Sequence, residues 1–353
     1  MGSPAGPTCL HTSMANKLTL SAVGLFSLLA AGTFAQTATT TPVGFMRYTI
    51  AGGSQAAPAT TAIAIPLHDV GGVSGVSTGT ISAVGTTTIT VTSAGWTPNG
   101  LSAAAIPYAL CIKSGSAGGS ILKISANTDT ILTLESSDLV AKGVLAGDRF
   151  EIIPIDTLST LFGATTLLPG TGSRDADVVY LMSAGSWVGY YFNTAKNCWK
   201  KTSDLLLVGP RDNTIVPPGS GVLIERRGTA FDLVVTGTVP SMQYRIAVAN
   251  SGNTLLHTGF PTDVTLGNFS LGSLLLNWVA SSDVKVADWV YIKNGAGGWV
   301  AYYNNGNHWR STADPIDINR NSILISAGSP ILLFKKGMAS GTTELARVLP
   351  YSL

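Results

Sequence analysis

Trp299-Val300-Ala301-Tyr302-Tyr303, followed by Asn304-Asn305-Gly306-Asn307 and then Trp309, is the stretch best suited to holding a ligand. Asn-Gly supplies the positive φ angles that a tight hairpin wants. In an extended segment Trp299 and Tyr303 share one face and Tyr302 takes the other, while Trp309 joins either face according to register. Flat rings beside Asn and Asp suit a sugar, whose C–H faces stack while its hydroxyls need partners, and they also suit an anchor from a partner protein. The plainer role for the same rings is cross-strand packing within a sheet. An equivalent set, Trp187, Tyr190, Tyr191 and Trp199, stands earlier in the chain.

Asp317, Asn319 and Asn321 alternate, so an extended backbone turns three oxygen ligands one way, with Asp314 close by. That donor set is the kind calcium takes, although Ser322 stands where the helix-loop-helix version needs Gly; a hydrogen-bonded polar loop is the competing expectation. Catalytic arrangements are weaker. Gly75-Val76-Ser77-Thr78-Gly79 has the spacing of a nucleophile elbow, but strand-like residues follow where a helix is required. Gly170-Thr171-Gly172 lacks the third Gly of a dinucleotide site. His68, His257 and His308 have no His or Cys at metal-ligand spacing, and His68 and Asp69, as neighbours on a strand, point to opposite faces. The carboxylates are scattered, so a glycosidase pair could converge only through the fold. No catalytic residue and no organic cofactor is assigned. Arg226-Arg227 and Lys335-Lys336 read as solvated strand ends.

The elements that must carry these residues are strands. Only 11% of the 353 residues are charged and 45% are hydrophobic, which excludes coiled coils and charge-rich disorder. A net charge of +2 gives no footprint for nucleic acid. Lys17, the apolar run Leu18 to Ala31 and the small residues before Gln36 describe a leader and secretory signal peptide over 1–35, with 36–41 as a linker and no membrane-spanning segment once the signal is cut. Ile81 to Thr92 alternates β-branched residues around Gly85. Tyr108–Lys113, Ile121–Ser125, Thr130–Glu135 and Phe150–Ile155 continue the strand pattern between Gly, Asn and Asp turns. Asp156 to Gly163 reads as one short helix capped by Asp156. Cys111 and Cys198 lie far apart with no spacing pattern, so two separately buried thiols are expected.

Later segments recur at an offset of roughly 110 residues. Asp177-Val178-Val179-Tyr180-Leu181 returns as Asp288-Trp289-Val290-Tyr291-Ile292, and Trp199 to Asp204 returns as Trp309 to Asp314. Gly219-Ser220-Gly221 with Arg226-Arg227 returns as Gly328-Ser329-Pro330 with Lys335-Lys336. The expected fold class is all-β: a small antiparallel barrel or sandwich over 42–155, then a β-rich domain over 156–353 built from an internal duplication, with copies at about 154–228 and 261–337.

Pro42-Val43-Gly44-Phe45, Ser114-Gly115 with Gly118, Ile124-Ser125-Ala126-Asn127-Thr128, Gly147-Asp148, Ile152-Ile153-Pro154 and Thr157 to Gly163 resemble a family of uncharacterised exported proteins found in multiple copies in verrucomicrobial-type bacteria. The resemblance extends through Trp-x-x-Tyr-Tyr and Pro-Gly-Ser-Gly in the second half. It implies export and a β-rich fold and carries no activity. The expected function is therefore that of an exported, non-catalytic protein of the periplasm, the cell surface or the extracellular matrix. It would bind polysaccharide or a protein partner, or self-associate, through the aromatic hairpins. A secreted glycosidase-like hydrolase is the alternative.

Overall fold

The computed structural model describes residues 42–351 apart from 68–72, 74, 103–105, 136–137, 184, 205–208, 242, 272–274, 276, 295–297, 315 and 338–339. The expected signal peptide, the linker and the His68-Asp69 pair lie outside the described residues. The protein is all-β. Its strands are β1 (Val43–Ile50), β2 (Ala59–Ala64), β3 (Thr78–Thr80), β4 (Ala83–Val84), β5 (Thr88–Thr90), β6 (Tyr108–Ile112), β7 (Ile121–Asn127), β8 (Ile131–Leu134) and β9 (Arg149–Pro154). After the helix α1 (Leu158–Phe162) come β10 (Val178–Ser183), β11 (Ser186–Asn193), β12 (Cys198–Lys201), β13 (Gly221–Arg226) and β14 (Phe231–Thr238). The remainder is β15 (Tyr244–Ala249), β16 (Gly252–Leu256), β17 (Val264–Thr265), β18 (Trp289–Lys293), β19 (Trp299–Asn304), β20 (Trp309–Ser311), β21 (Leu324–Ile325), β22 (Ile331–Lys335) and β23 (Thr342–Arg347).

Strands β3 to β9 form a curled antiparallel sheet in the order β3-β9-β6-β7-β8-β5-β4. It closes around Trp96, Phe150, Leu110 and Ile112. The turns that bound it are hydrogen-bonded. Asn127 accepts the Leu101 N–H and donates to the carbonyls of Thr97 and Thr128, and the Asp148 carboxylate accepts the Leu145 N–H. The nucleophile-elbow stretch runs into the edge strand β3, with no helix after it.

Two five-stranded antiparallel sheets have the same order: β12-β11-β10-β13-β2 in a first lobe and β20-β19-β18-β22-β16 in a second. Each lobe adds a two-stranded ribbon that pairs its first strand with its last, β1 with β14 and β15 with β23. Residues 43–64, expected with the N-terminal domain, are thus strands of the first lobe, and the curled half-barrel sheet is inserted between β2 and α1. Alternation along β1 and β2 announces a half-buried strand, but not that its hydrogen-bond partners lie more than 150 residues away.

α1 begins where the sequence places it, with a different cap. Thr157 and Thr160 satisfy each other, the Thr157 hydroxyl accepting the Thr160 N–H and the Thr160 hydroxyl accepting the Thr157 N–H, so Asp156 is not the cap. The basic pairs are not solvated either. Arg226 and Lys335 are only 9% and 2% exposed, because each pair folds back onto a buried aspartate, Asp177 or Asp288, at the head of the neighbouring strand.

Cys111 and Cys198 are free thiols, the first buried and the second half-buried. Cys111 sits with Ala109, Ile153 and Ile155 where the barrel meets Ile215 of the first lobe, and burial pushes its thiol from the ordinary 9.0 up to about 11. The folded thiol keeps its proton where the unfolded one has lost it. Its stabilising contribution is therefore complete below pH 9.0 and lost as pH rises through about 11. Denaturant midpoints measured across that interval should fall by the equivalent of about 2–3 kcal/mol more in the native protein than in Cys111→Ala. Parallel profiles for the two proteins would contradict this.

Among the described residues, no helix is long and apolar enough to cross a membrane.

Candidate functional site

Register decides what each aromatic does. In the first lobe Met182 pairs with Trp187, Tyr180 with Gly189 and Phe192 with Trp199. Trp187 and Tyr191 therefore project from the outer face of the sheet, while Tyr190 and Trp199 point into the core with Phe162 and Leu181. In the second lobe Lys293 pairs with Trp299, Tyr291 with Ala301 and Asn304 with Trp309. Trp299 and Tyr303 project outward, and Tyr302 and Trp309 project inward. Trp309, whose face the sequence left open, stacks in the core at 6.0 Å from the Trp278 ring.

The eight aromatics are therefore brought together as two core pairs and two outer pairs. Tyr191 and Tyr303, although on the outer faces, are covered. The loop before β10 reaches over Tyr191, where Asn193 donates to the Thr171 carbonyl at 2.8 Å, and the Arg310 guanidinium lies 5.8 Å from the Tyr303 ring. Of the four outer-face rings, Trp187, 40% exposed, and Trp299, half-buried, are the ones left in contact with solvent.

The structure adds three residues to the outer faces. Tyr180 lies over Gly189, where a Cβ would come within 2.9 Å of its ring, and donates to Glu225 at 3.3 Å. Tyr291 has the equivalent place across from Ala301 and packs 6.0 Å from Trp289, over which the Lys336 ammonium sits at 4.2 Å. Burial raises both phenol pKa values. The signal for these tyrosines was present in the sequence, since each stands three residues after an aspartate, Asp177 or Asp288. The third residue is Lys293, whose ammonium donates to the Thr60 carbonyl of the first lobe at 3.0 Å.

Along β19 the outer face reads Trp299, Ala301, Tyr303, a small residue between two rings. Tyr291 stands directly across from Ala301. Such a surface offers stacking area with phenol and ammonium groups at its rim, the features a pyranose needs. On the first lobe Met182, the partner of Trp187, lines a 220 Å³ cleft between the lobes with Pro217, Pro218, Ile246 and Leu255.

Asp317, Asn319 and Asn321 each accept a hydrogen bond from the protein. Asp317 accepts from His308 at 2.9 Å and lies 3.1 Å from the Arg310 guanidinium; Asn319 accepts the Asn321 N–H at 2.8 Å; Asn321 accepts the Trp309 N–H at 2.9 Å. One side-chain oxygen of each is thus engaged by a protein donor. Among the described residues no group of three or more His, Cys, Asp or Glu side chains could hold a metal ion.

No family model, curated protein or solved structure matches the chain.

Proposed function

We propose that this is an exported, non-catalytic protein of the cell surface or extracellular matrix that holds polysaccharide on the outer aromatic faces of its two lobes, and that the lobes derive from one duplicated unit. The observation that supports this reading most is the equivalent placement of Trp187 and Trp299. Each opens the second strand of a hairpin, stands on the outer face and keeps ring area in contact with water. Two weak sites on one body gain by avidity where a polymer offers repeated ligands.

Trp187→Ala and Trp299→Ala should each reduce retention on immobilised polysaccharide several-fold, and the double variant should abolish it. Both should leave the thermal transition within a few degrees, because neither ring belongs to a core. Unchanged retention in the double variant would remove the reading. Self-association is a second reading, favoured by the β1–β14 ribbon, which leaves Val43, Phe45 and Val234 exposed. Light scattering on the same preparation separates the two, since an oligomer that ignores sugars supports only the second.

A further inference from the structure

On the reading above, the two aromatic faces differ in one respect that bears on ligand class. The residue directly across from Trp187 is Met182, whereas the residue directly across from Trp299 is Lys293. Paired positions on antiparallel strands project from the same face, so Lys293 and Trp299 leave the sheet side by side. Lys293 is half-buried, and among the described residues its ammonium donates to a neutral carbonyl, that of Thr60. Burial pushes its pKa down, with no carboxylate acting in the other direction. Other cations of the same chain are answered by carboxylates: Lys113 by Glu151, Lys142 by Glu344, Arg320 by Asp314. A half-desolvated ammonium has three donors, and here at least one is spent on an uncharged group; among the described residues no carboxylate pairs with it on the face that offers a stacking surface.

We infer that the outer face of the second lobe takes a sugar bearing a carboxylate, with Trp299 stacking on the ring and Lys293 pairing with the acid, while the first lobe accepts neutral sugar. A charge-assisted hydrogen bond at a partly desolvated site discriminates against the uncharged analogue by about ten-fold.

The test uses the whole protein and two polymers of one backbone, polygalacturonate and its full methyl ester, in affinity electrophoresis. The native protein should bind the acid form about ten-fold more tightly than the ester, with the advantage shrinking as salt is added. Lys293→Met, which keeps the aliphatic stem, should bring the acid form to the level of the ester. Lys285→Met, which removes an exposed charge from the same lobe, should alter neither. Trp299→Ala should weaken both. Equal binding of acid and ester by the native protein, or an acid preference that survives Lys293→Met, overturns the inference and leaves polysaccharide binding standing. Failure of the native protein to bind either polymer overturns both together.

Discussion

Asp177→Ala should cost about 3–5 kcal/mol of folding stability, because it leaves a buried guanidinium with no counter-charge. The Asp177 side chain is fully buried and pairs with Arg226. It also accepts the Leu168 N–H at 2.7 Å and the Arg227 N–H at 2.6 Å, so it fixes the loop that enters β10 and the strand end that leaves β13. Asp288 has the same place in the second lobe, accepting the Val279 N–H at 2.9 Å and the Lys336 N–H at 2.8 Å. Its cations are lysines. Burial holds the pKa of both Lys335 and Lys336 below the ordinary value, and Asp288, joined by Asp283 at Lys336, partly restores it. An uncompensated lysine can shed its proton and an arginine cannot. Asp288→Ala should therefore cost about 1–2 kcal/mol less than Asp177→Ala at neutral pH. Its deficit should also shrink as pH rises, because a lysine whose pKa is depressed in the folded state binds fewer protons there than in the unfolded chain. Chemical denaturation at neutral and alkaline pH gives both numbers. Equal deficits that do not move with pH would show the carboxylates to be simple hydrogen-bond acceptors.

The second large effect is expected at the seam between the lobes, where two glycines make reciprocal contacts. The Gly328 carbonyl accepts the Ala64 N–H at 2.8 Å, and the Gly219 carbonyl accepts the His257 N–H at 3.0 Å. Both backbones are left-handed, with φ of 74° and 86°. A methyl on Gly328 would meet Tyr48 and Met46 at 2.7 Å; one on Gly219 would meet Ile246 at 3.0 Å. Tyr48 cannot yield readily, since it is buried and its hydroxyl donates to the Ala64 carbonyl at 2.6 Å. Gly147 has φ of 93° with nothing near its missing Cβ, so Gly147→Ala reports backbone strain alone. The expected order of destabilisation is Gly328→Ala, then Gly219→Ala, then Gly147→Ala, at about 3, 2 and 1 kcal/mol. If all three cost the same, the seam contacts contribute nothing beyond the conformation of the glycine.

These residues also mark what the sequence could tell. Pro-Gly-Ser-Gly is conspicuous as a motif, but its role depends on a strand from the other lobe, and nothing local names that strand. Trp187 and Trp299 were legible because alternation alone puts them opposite Tyr190 and Tyr302. Trp199 and Trp309 were not, because their face follows from the length of the turn before them. The arginine and lysine pairs read as solvated because a charged dipeptide ordinarily is; what buries them is an aspartate about 50 residues upstream. Lys293 carried no signal of its own, for its environment is made by β2.

One consequence of the ribbons concerns how the architecture can grow. Val43 pairs with Thr238 and Tyr244 with Arg347, so each lobe starts and finishes at a single place, and residues 239–243 suffice to carry the chain from one lobe to the next. A third unit spliced on after Arg347 through a link of the same length would displace no hydrogen-bonded strand. The plan is that of a bead with adjacent thread holes, which lengthens by concatenation and leaves every bead already on the string intact.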